Sequence, residues 1–262
     1  MLNITQIKAE ILPTTFIQDI YYSECLESTN EFLKKITDKD NVLVISEYQT
    51  EGRGRHRRVW ESEPNKNLIF SIKKRLDKNF KNLFTINFYF SYFLLTSVEN
   101  YLITNNHFFI EDLFEIKWPN DLLYKSKKFS GLLIESNLNK KEYIIGIGLN
   151  VNQLKFNKNY HNNTTSLMKI TGQKINLNNL FINIIKTLSN NIQLLENNKD
   201  NEIYRLWRTK FKLKGKKVKF IKPDEEIQIA QVIDINKDGS IKLEINEKLH
   251  NFFAGEVKLL TN

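Results

Sequence analysis

The chain has 262 residues, 41% hydrophobic and 26% charged, which suits one large or two unequal globular domains. Its formal net charge of +9 permits an anionic ligand, although 33 asparagines against 3 alanines indicate a compositional bias that also favours lysine. The single cysteine, Cys25, excludes an internal disulfide framework and a cysteine-based zinc cluster, and it fits a reducing cytoplasm. Residues 1–20 contain charges and a proline, so they do not resemble a secretory signal.

The first half of the chain predicts alternating helices and strands. In chain order these are a helix from residue 28, a strand over 41–48, a loop over 49–58, a strand over 67–73 and a helix over 81–103. Ser28 followed by Glu31 predicts a capping box, in which Glu31 reaches back to the N-cap. The apolar stretch 83–98 is shorter than the roughly 20 residues of a membrane span, so we expect a buried core helix.

The second half predicts a hairpin, two helices and a set of short strands. The elements are a strand over 115–118, a hairpin over 129–137 and 143–152, helices over 177–195 and 201–211, and strands over 216–221, 227–235, 240–245 and 249–254. Pro119 should end the first of these strands, because proline donates no ladder hydrogen bond. About 50 residues of short strands predict a small closed barrel. We therefore expect a mixed α+β domain over 1–212 and a small β-barrel domain over 213–262.

A segment rich in arginine lies between two predicted strands. Residues 52–58 place four arginines and two glycines together. Glycine lets the backbone turn sharply or approach a ligand closely, and guanidinium groups suit phosphate and carboxylate groups. Four like charges repel one another unless an anion lies among them, although a solvated basic loop is the alternative. The segment is not a P-loop, because the terminal Lys-Ser/Thr and the spacing are absent.

Polar groups also follow the strand that ends at Pro119. Residues 117–121 read Lys-Trp-Pro-Asn-Asp and place a cation, an aromatic ring and a carboxylate at a strand end. A hairpin would return Lys128 to this place, so Lys117, Asp121 and Lys128 could line one cleft. A simple polar turn is the alternative.

Two further segments could contact a ligand. Residues 28–30, Ser-Thr-Asn, offer hydroxyl and amide groups at a helix N-terminus, which favours anions; helix capping alone also explains them. Gly148 stands inside an apolar strand and indicates either a bulge or a close ligand approach. The four histidines lack metal-ligand spacing, so we expect no metal site built from protein side chains alone.

In their order along the chain, these segments closely resemble the biotin protein ligases, or biotin–acetyl-CoA-carboxylase ligases. The matching segments are Ser28-Thr29-Asn30, Glu47-Tyr48-Gln49, Gly52-Arg53-Gly54-Arg55, Lys117-Trp118-Pro119-Asn120-Asp121, Lys128 with Gly131, Gly148-Leu149-Asn150-Val151-Asn152 and Thr165-Ser166-Leu167. The resemblance covers about residues 22–170 and extends loosely to Gly255-Glu256. It implies an α+β catalytic domain with a mixed sheet flanked by helices, like class II aminoacyl-tRNA synthetases and biotin ligases, followed by a small SH3-like β-barrel.

The resemblance implies a cytoplasmic, ATP-dependent ligase. Such enzymes form biotinoyl-5′-AMP from biotin and ATP with Mg²⁺, then transfer biotin to one lysine of a biotin carboxyl carrier domain, such as that of acetyl-CoA carboxylase. By resemblance, the biotin-binding residues are Ser28, Thr29, Asn30, Gln49, Arg53, Gly54, Arg55 and Lys128. The ATP-binding residues are Arg53, Arg55, Trp60, Lys117, Asn120 and Asn150. The catalytic residues are Lys128, Lys117, Asp121 and Arg55.

The sequence departs from the family pattern in two places, and two alternatives stay open. Arg57 stands where glycine is usual, which bears on loop conformation. The Ser28 motif begins too early for the DNA-binding domain of bifunctional members, so we expect a monofunctional enzyme with no specific DNA partner and no membrane partner. A lipoate ligase-like enzyme is the first alternative. A non-enzymatic nucleic-acid-binding protein is the second, suggested by eight lysines and arginines over residues 208–222.

Overall fold

The computed structural model describes residues 1–55, 58–76, 83–107, 111–157 and 163–260. The helices are α1 (Ile4–Ile11), α2 (Thr29–Lys35), α3 (Leu83–Thr104), α4 (Leu167–Thr171), α5 (Leu177–Asn190), α6 (Gln193–Glu196) and α7 (Asp200–Thr209). The strands are β1 (Asp19–Leu26), β2 (Val42–Gln49), β3 (Leu68–Arg75), β4 (Phe114–Lys117), β5 (Asp121–Tyr124), β6 (Lys127–Asn137), β7 (Glu142–Leu149), β8 (Lys217–Ile221), β9 (Ile227–Ile235), β10 (Ile241–Ile245), β11 (Lys248–Phe252) and β12 (Glu256–Leu259). Within these residues, no helix is both long and apolar enough to cross a membrane.

The first seven strands form one mixed sheet in the order β1-β2-β3-β7-β6-β5-β4. The β1–β2 pair is parallel, and the other pairs are antiparallel. The central strands β2, β3 and β7 are buried along nearly their whole length. A strand covered on both faces gives a continuous apolar run rather than alternation, which is why the sequence shows β2 and β7 so clearly.

The two faces of this sheet carry different helices. On one face, α2 packs Leu33 against Val42, Val44 and Ile144. On the other face, α3 lies in the main core with α5 and α7. The predicted core helix is confirmed as α3, whose residues from Thr85 to Leu102 are mostly buried; residues 81 and 82 of that prediction lie outside the described part.

The N-terminus of α2 matches only half of the predicted capping box. Ser28 has an extended backbone and its hydroxyl accepts from the backbone N–H of Glu31 at 3.5 Å. The Glu31 carboxylate pairs with Lys34 at 2.8 Å instead of reaching back to the cap. An ammonium group one turn away competes well with the cap N–H for the carboxylate.

The last five strands form a second sheet in the order β11-β10-β9-β8-β12. Burial alternates along β8, where Val218 and Phe220 are buried and Lys217 and Lys219 are exposed. A second five-stranded sheet at the carboxyl end, with β11 and β12 as its edges, agrees with the predicted small SH3-like unit. The mixed α+β class and the SH3-like unit are therefore confirmed, while the boundary between residues 212 and 213 stays a prediction.

Several elements differ from the sequence prediction; besides those that follow, α4 and β12 were not predicted. The helix α1 was not predicted, because only Ile7 and Ile11 on it are buried and two buried positions give little periodicity. The strand β5 starts at Asp121, immediately after the proline turn, where no strand was expected. The apolar run that ends at Leu195 is divided into α5 and α6, because α5 ends at Asn190.

Candidate active site

A cavity of about 870 Å³ opens on the α2 face of the mixed sheet and extends to β12 of the second sheet. All thirteen predicted site residues line it, namely Ser28, Thr29, Asn30, Gln49, Arg53, Gly54, Arg55, Trp60, Lys117, Asn120, Asp121, Lys128 and Asn150. Among the described lining residues, eight are lysine or arginine and three are aspartate or glutamate. The predicted residues therefore share one cavity with a cationic lining.

One end of the cavity is polar and uncharged. The side-chain oxygen of Gln49 accepts from the backbone N–H of Thr29 at 2.6 Å and lies 3.0 Å from the Thr29 hydroxyl. Asn30, the next residue of α2, donates to Glu135 at 2.8 Å. These three side chains are nearly buried, so their remaining hydrogen-bonding groups have few partners besides a ligand.

Glycines form the floor of the cavity. Gly131 on β6 pairs with Gly148 on β7, and Gly146 lies two residues away on the same face. A Cβ at Gly148 would lie 2.3 Å from the Trp60 ring, and one at Gly146 would lie 2.4 Å from the Asn30 side-chain oxygen. The glycine in the apolar strand therefore marks a close approach rather than a bulge, since β6 and β7 pair here in continuous register.

The other end of the cavity holds a carboxylate between two lysines. Asp121 lies 2.6 Å from the Lys128 ammonium and 3.4 Å from the Lys117 ammonium. Burial works to raise the pKa of the Asp121 carboxyl, but the charges and hydrogen bonds of Lys128 and Lys117 hold that pKa below its ordinary value. The predicted meeting of these three residues is observed, because β5 and β6 form the hairpin that returns Lys128.

The arginine-rich segment covers the cavity from the side. Arg53 pairs with Glu51 at 3.1 Å and approaches Glu31 at 3.7 Å. Burial lowers the pKa of the Arg55 guanidinium, while the charge of Asp121 acts in the opposite direction. His56 and Arg57 lie outside the described residues, so the expectation for Arg57 stays a prediction.

Arg58 joins this segment to the second sheet. Its guanidinium makes a two-pronged ion pair with Glu256 on β12, with one hydrogen bond of 2.9 Å. Burial works to raise the pKa of Glu256, but Arg58 holds it below the ordinary range. The second sheet therefore forms part of the cavity wall.

Two buried polar atoms in the cavity have no hydrogen-bond partner among the described residues. These are the indole nitrogen of Trp60 and the side-chain oxygen of Asn150. The amide nitrogen of Asn150 donates to Thr165 at 3.2 Å, which fixes its oxygen as the free group. Buried polar groups are normally paired. The Trp60 N–H and the Asn150 oxygen are therefore a donor and an acceptor that suit a polar heterocyclic ligand.

The turn at Trp118 and Asn120 has structural contacts of its own. The fully buried Trp118 donates from its indole to the Gly239 carbonyl at 2.8 Å, between the two sheets. The amide of Asn120 donates to the Leu132 carbonyl. Its side-chain donor is thus used within the protein, and the nucleotide role of Asn120 stays a prediction.

Three residues of the site were not predicted as site residues from the sequence. Ser71 on β3 contacts Thr29 and Asn30 from beneath. Arg58 was counted only as one of four arginines, and Glu256 only as part of a loose resemblance. A serine inside an apolar strand was the single local signal for Ser71. Nothing local indicates the Arg58–Glu256 contact, which spans 198 residues.

The protein is of the α+β class, with a mixed sheet and a small second sheet that together enclose one cationic cavity. Residues 22–152, half of the chain, match the model of the biotin/lipoate A/B protein ligase family. The chain belongs to this family.

Similar proteins cover most of the chain. The bifunctional ligase/repressor BirA of Bacillus subtilis is 24% identical over 250 residues, which are 92% of this chain and 74% of that protein. The biotin–[acetyl-CoA-carboxylase] ligase of Mycobacterium tuberculosis is 25% identical over 221 residues, with 84% and 79% coverage. The biotin protein ligase of Aquifex aeolicus, solved with biotin and ATP, aligns with a TM-score of 0.79, 26% identity and coverage of 94% and 100%.

Proposed function

We propose that the protein is a biotin protein ligase that joins biotin to a lysine of an acceptor protein at the expense of ATP. The observation that carries the proposal is a single cavity with an uncharged polar end, a glycine floor and a cationic end. Biotin has a polar ureido ring at one end and a carboxylate at the other. Relatives described as biotin ligases, one of them solved with both substrates, support the same assignment.

In the first step, a biotin carboxylate oxygen attacks the α-phosphorus of ATP. The bond to pyrophosphate breaks, and biotinoyl-5′-AMP forms. Both reactants are anions, so cations near the reacting atoms lower the barrier by offsetting charge. Lys128 and Arg55 supply that charge, because both line the cavity and Lys128 lies beside Gly131 of the glycine floor.

Mg²⁺ would enter with the nucleotide, since it is commonly bound by substrate phosphates and one or two carboxylates. Within the described residues, no group of three or more His, Cys, Asp or Glu side chains could hold a metal ion. Glu61, which lines the cavity, is a carboxylate of the appropriate kind. When bound, the ion would offset phosphate charge.

In the second step, the neutral amine of an acceptor lysine attacks the acyl carbon of the adenylate, and AMP leaves. The amine loses one proton in this step, which solvent water takes up. Asp121 holds its negative charge firmly because its pKa is lowered by Lys128 and Lys117. We therefore assign Asp121 to orienting the acceptor amine, since a carboxylate with a lowered pKa is a weak base.

The proposed ligand contacts follow the resemblance and the two ends of the cavity. Ser28, Thr29, Asn30, Gln49, Arg53 and Gly54 would bind biotin. Trp60 and Asn150 would bind the adenine, because each offers one unpaired buried polar atom. Lys117, Asn120, Arg53 and Arg55 would lie beside the phosphates. The acceptor would be a biotin carboxyl carrier domain, and the compartment the cytoplasm.

Lipoate ligation is the second candidate, because the family includes lipoate ligases. Lipoate shares a carboxylate with biotin but lacks a ureido group. The hydrogen-bonding groups at Thr29 and Gln49 would then remain unpaired beside an apolar ring, which is unfavourable. This difference favours biotin.

Nucleic-acid binding is disfavoured because much of the basic run over 208–222 is paired. Arg208 and Lys214 both contact Asp234, and Lys210 lies 2.7 Å from Glu99. We therefore propose that these 262 residues bind no specific DNA. A sequence-selective gel shift dependent on biotin and ATP would contradict this.

The proposal is tested by incubating the protein with labelled biotin, Mg·ATP and a biotin carboxyl carrier domain. We expect covalent label on one lysine of the carrier, and none when that lysine is replaced by arginine. Labelled lipoate in the same assay is the control. Transfer of lipoate but not of biotin would replace the first candidate with the second.

A further inference from the structure

Ser71 lies beneath the polar end of the cavity, in the middle of β3. Its side chain is fully buried. Its hydroxyl lies 2.6 Å from the side-chain oxygen of Asn30 and 2.7 Å from the hydroxyl of Thr29. It therefore contacts two residues proposed to bind biotin without lining the cavity itself.

The orientation of the Asn30 amide is fixed from two sides. Its nitrogen lies 2.8 Å from one carboxylate oxygen of Glu135, and the other oxygen of Glu135 pairs with Lys34 at 2.6 Å. A carboxylate only accepts hydrogen bonds, so the amide nitrogen must face Glu135. The amide oxygen then faces Ser71 and requires a hydrogen from it.

This requirement sets the direction of the neighbouring hydrogen bonds. Ser71 has one hydroxyl hydrogen, which it donates to Asn30. The 2.7 Å contact between the Ser71 and Thr29 hydroxyls then needs the hydrogen of Thr29, because the Ser71 hydrogen is already used. We therefore assign the Thr29 hydrogen to Ser71 rather than to the Gln49 oxygen 3.0 Å away. The oxygen of Gln49 is supplied by the backbone N–H of Thr29 at 2.6 Å. The side-chain hydrogens of Thr29, Ser71 and Asn30 therefore all point toward the negative charge of Glu135, an arrangement in which successive bonds strengthen one another.

We infer that Ser71 is a positioning residue that sets the pattern of donors and acceptors which Thr29 and Gln49 offer to the ligand. The hydroxyl of Thr29 donates its hydrogen to Ser71, so its lone pairs are available to a ligand in the cavity. The oxygen of Gln49 faces Thr29 and leaves the NH₂ group for the cavity. One acceptor beside one donor matches the N–H and C=O of a cyclic urea. This inference rests on the proposed function, because it names what holds the biotin-reading groups in place.

The test compares ligand affinities of the wild-type protein and Ser71→Ala by isothermal titration calorimetry. We expect biotin and desthiobiotin, which both contain the ureido ring, to bind about tenfold more weakly to the variant. Binding of ATP should be unchanged, because the affected groups lie at the other end of the cavity. Ser97→Ala is the matched control: Ser97 is also fully buried, and its hydroxyl donates to the Leu94 carbonyl within α3. It should bind biotin like the wild type.

Glu135→Gln provides a second variant, because its side chain is partly exposed and the change keeps its size. A neutral amide no longer fixes the direction of the bonds, so we expect severalfold weaker biotin binding with unchanged ATP binding. Lys34→Gln removes the ion pair to Glu135 without touching Asn30, and should retain wild-type biotin affinity.

Unchanged biotin affinity in Ser71→Ala would overturn the inference, as would an equal loss of biotin and ATP affinity, which indicates a general structural role. Absence of biotin binding by the wild-type protein would instead overturn the proposed function. The two failures are therefore distinguishable.

Discussion

Gly131 allows the Lys128 ammonium to reach Asp121. A Cβ at Gly131 would lie 2.8 Å from the Lys128 nitrogen and 2.9 Å from its Cε atom, both closer than van der Waals contact. Those atoms are the mobile end of a long side chain, so the chain can move aside at little cost to folding. The glycine is required by the position of the lysine and not by the backbone, since its φ is outside the left-handed region.

Gly131→Ala should therefore reduce activity without reducing stability. Alanine restricts the unfolded chain and stabilises a compatible site by about 0.4–1 kcal/mol, while a displaced Lys128 should slow adenylate formation on the order of 10–100-fold. Adenylation rate and melting temperature measure the two effects. Gly172→Ala is the control, because Gly172 has φ +73° and open space around it. That variant should lose stability and keep its activity, and the reverse pattern would contradict this role of Gly131.

The paired Asp121 carboxylate gives stability a predictable dependence on pH. Its pKa is lowered in the folded protein by Lys128 and Lys117, so its contribution is complete above the ordinary carboxyl pKa of about 3.9. The contribution disappears as the pH falls through the lower folded-state value. Urea unfolding of the wild type and Asp121→Asn should give a free-energy difference at pH 7 that shrinks in acid. A difference independent of pH would show that the carboxylate is not stabilised by its neighbours.

The sequence predicted the residues that line the cavity better than the residues that hold them in position. Motif order located Thr29, Gln49 and Lys128, because their spacing and residue types are specific. Ser71 gave no comparable signal, since a serine in an apolar strand also occurs without a function. Its partners Thr29 and Asn30 are about 40 residues away in sequence, and the packing of α2 on β3 brings them together.

The arginine-rich segment is held by carboxylates that an anionic ligand could replace. Arg53 pairs with Glu51 and Glu31, and Arg58 pairs with Glu256. These pairs are partly exposed, and such pairs contribute only about 0–1 kcal/mol each. A ligand phosphate can therefore compete for the guanidinium groups, which would close the segment over a reactive adenylate and exclude water.

Arg55→Gly should weaken retention of the adenylate. Arg55 is half-buried in the cavity lining, so its removal leaves less positive charge to hold the ligand anion. We expect a faster dissociation rate for a non-hydrolysable adenylate analogue and increased labelling of unrelated lysines. Arg205→Gly, on the exposed side of α7, is the control. An unchanged dissociation rate in Arg55→Gly would exclude this role.

Strands with strong apolar runs were predicted to within a few residues, but the short strand β5 was not predicted. β2 and β7 are buried on both faces, so their composition alone identifies them. β5 is four residues long and follows Pro119 at once, and a proline normally indicates the end of a strand. Its pairing with both β4 and β6 stabilises it, which is tertiary information.

The site is assembled from the whole molecule. Its lining runs from Ser28 near the amino end to Leu259 on β12. Trp118 connects the proline turn to the second sheet by its bond to Gly239. The sequence predicted both sheets, but it held no signal for how they pack, because those contacts join residues more than 100 positions apart.

Simultaneous binding at both ends of one cavity should stabilise the protein strongly. Ligand at about 1,000 times its dissociation constant adds about 4 kcal/mol to the free energy of unfolding. Biotin and Mg·ATP together form an adenylate that contacts both ends, so the melting temperature should rise well above that with either substrate alone. Differential scanning fluorimetry measures this. An equal rise with lipoate and Mg·ATP would favour the lipoate alternative.

Biotin-dependent exchange of labelled pyrophosphate into ATP measures adenylate formation in this cavity without an acceptor protein. We predict exchange with biotin, none with lipoate, and a loss on the order of 100-fold in Lys128→Ala, with Lys140→Ala, an exposed lysine far from the cavity, unaffected. Absence of biotin-dependent exchange by the wild-type protein, or full exchange by folded Lys128→Ala, would contradict the account.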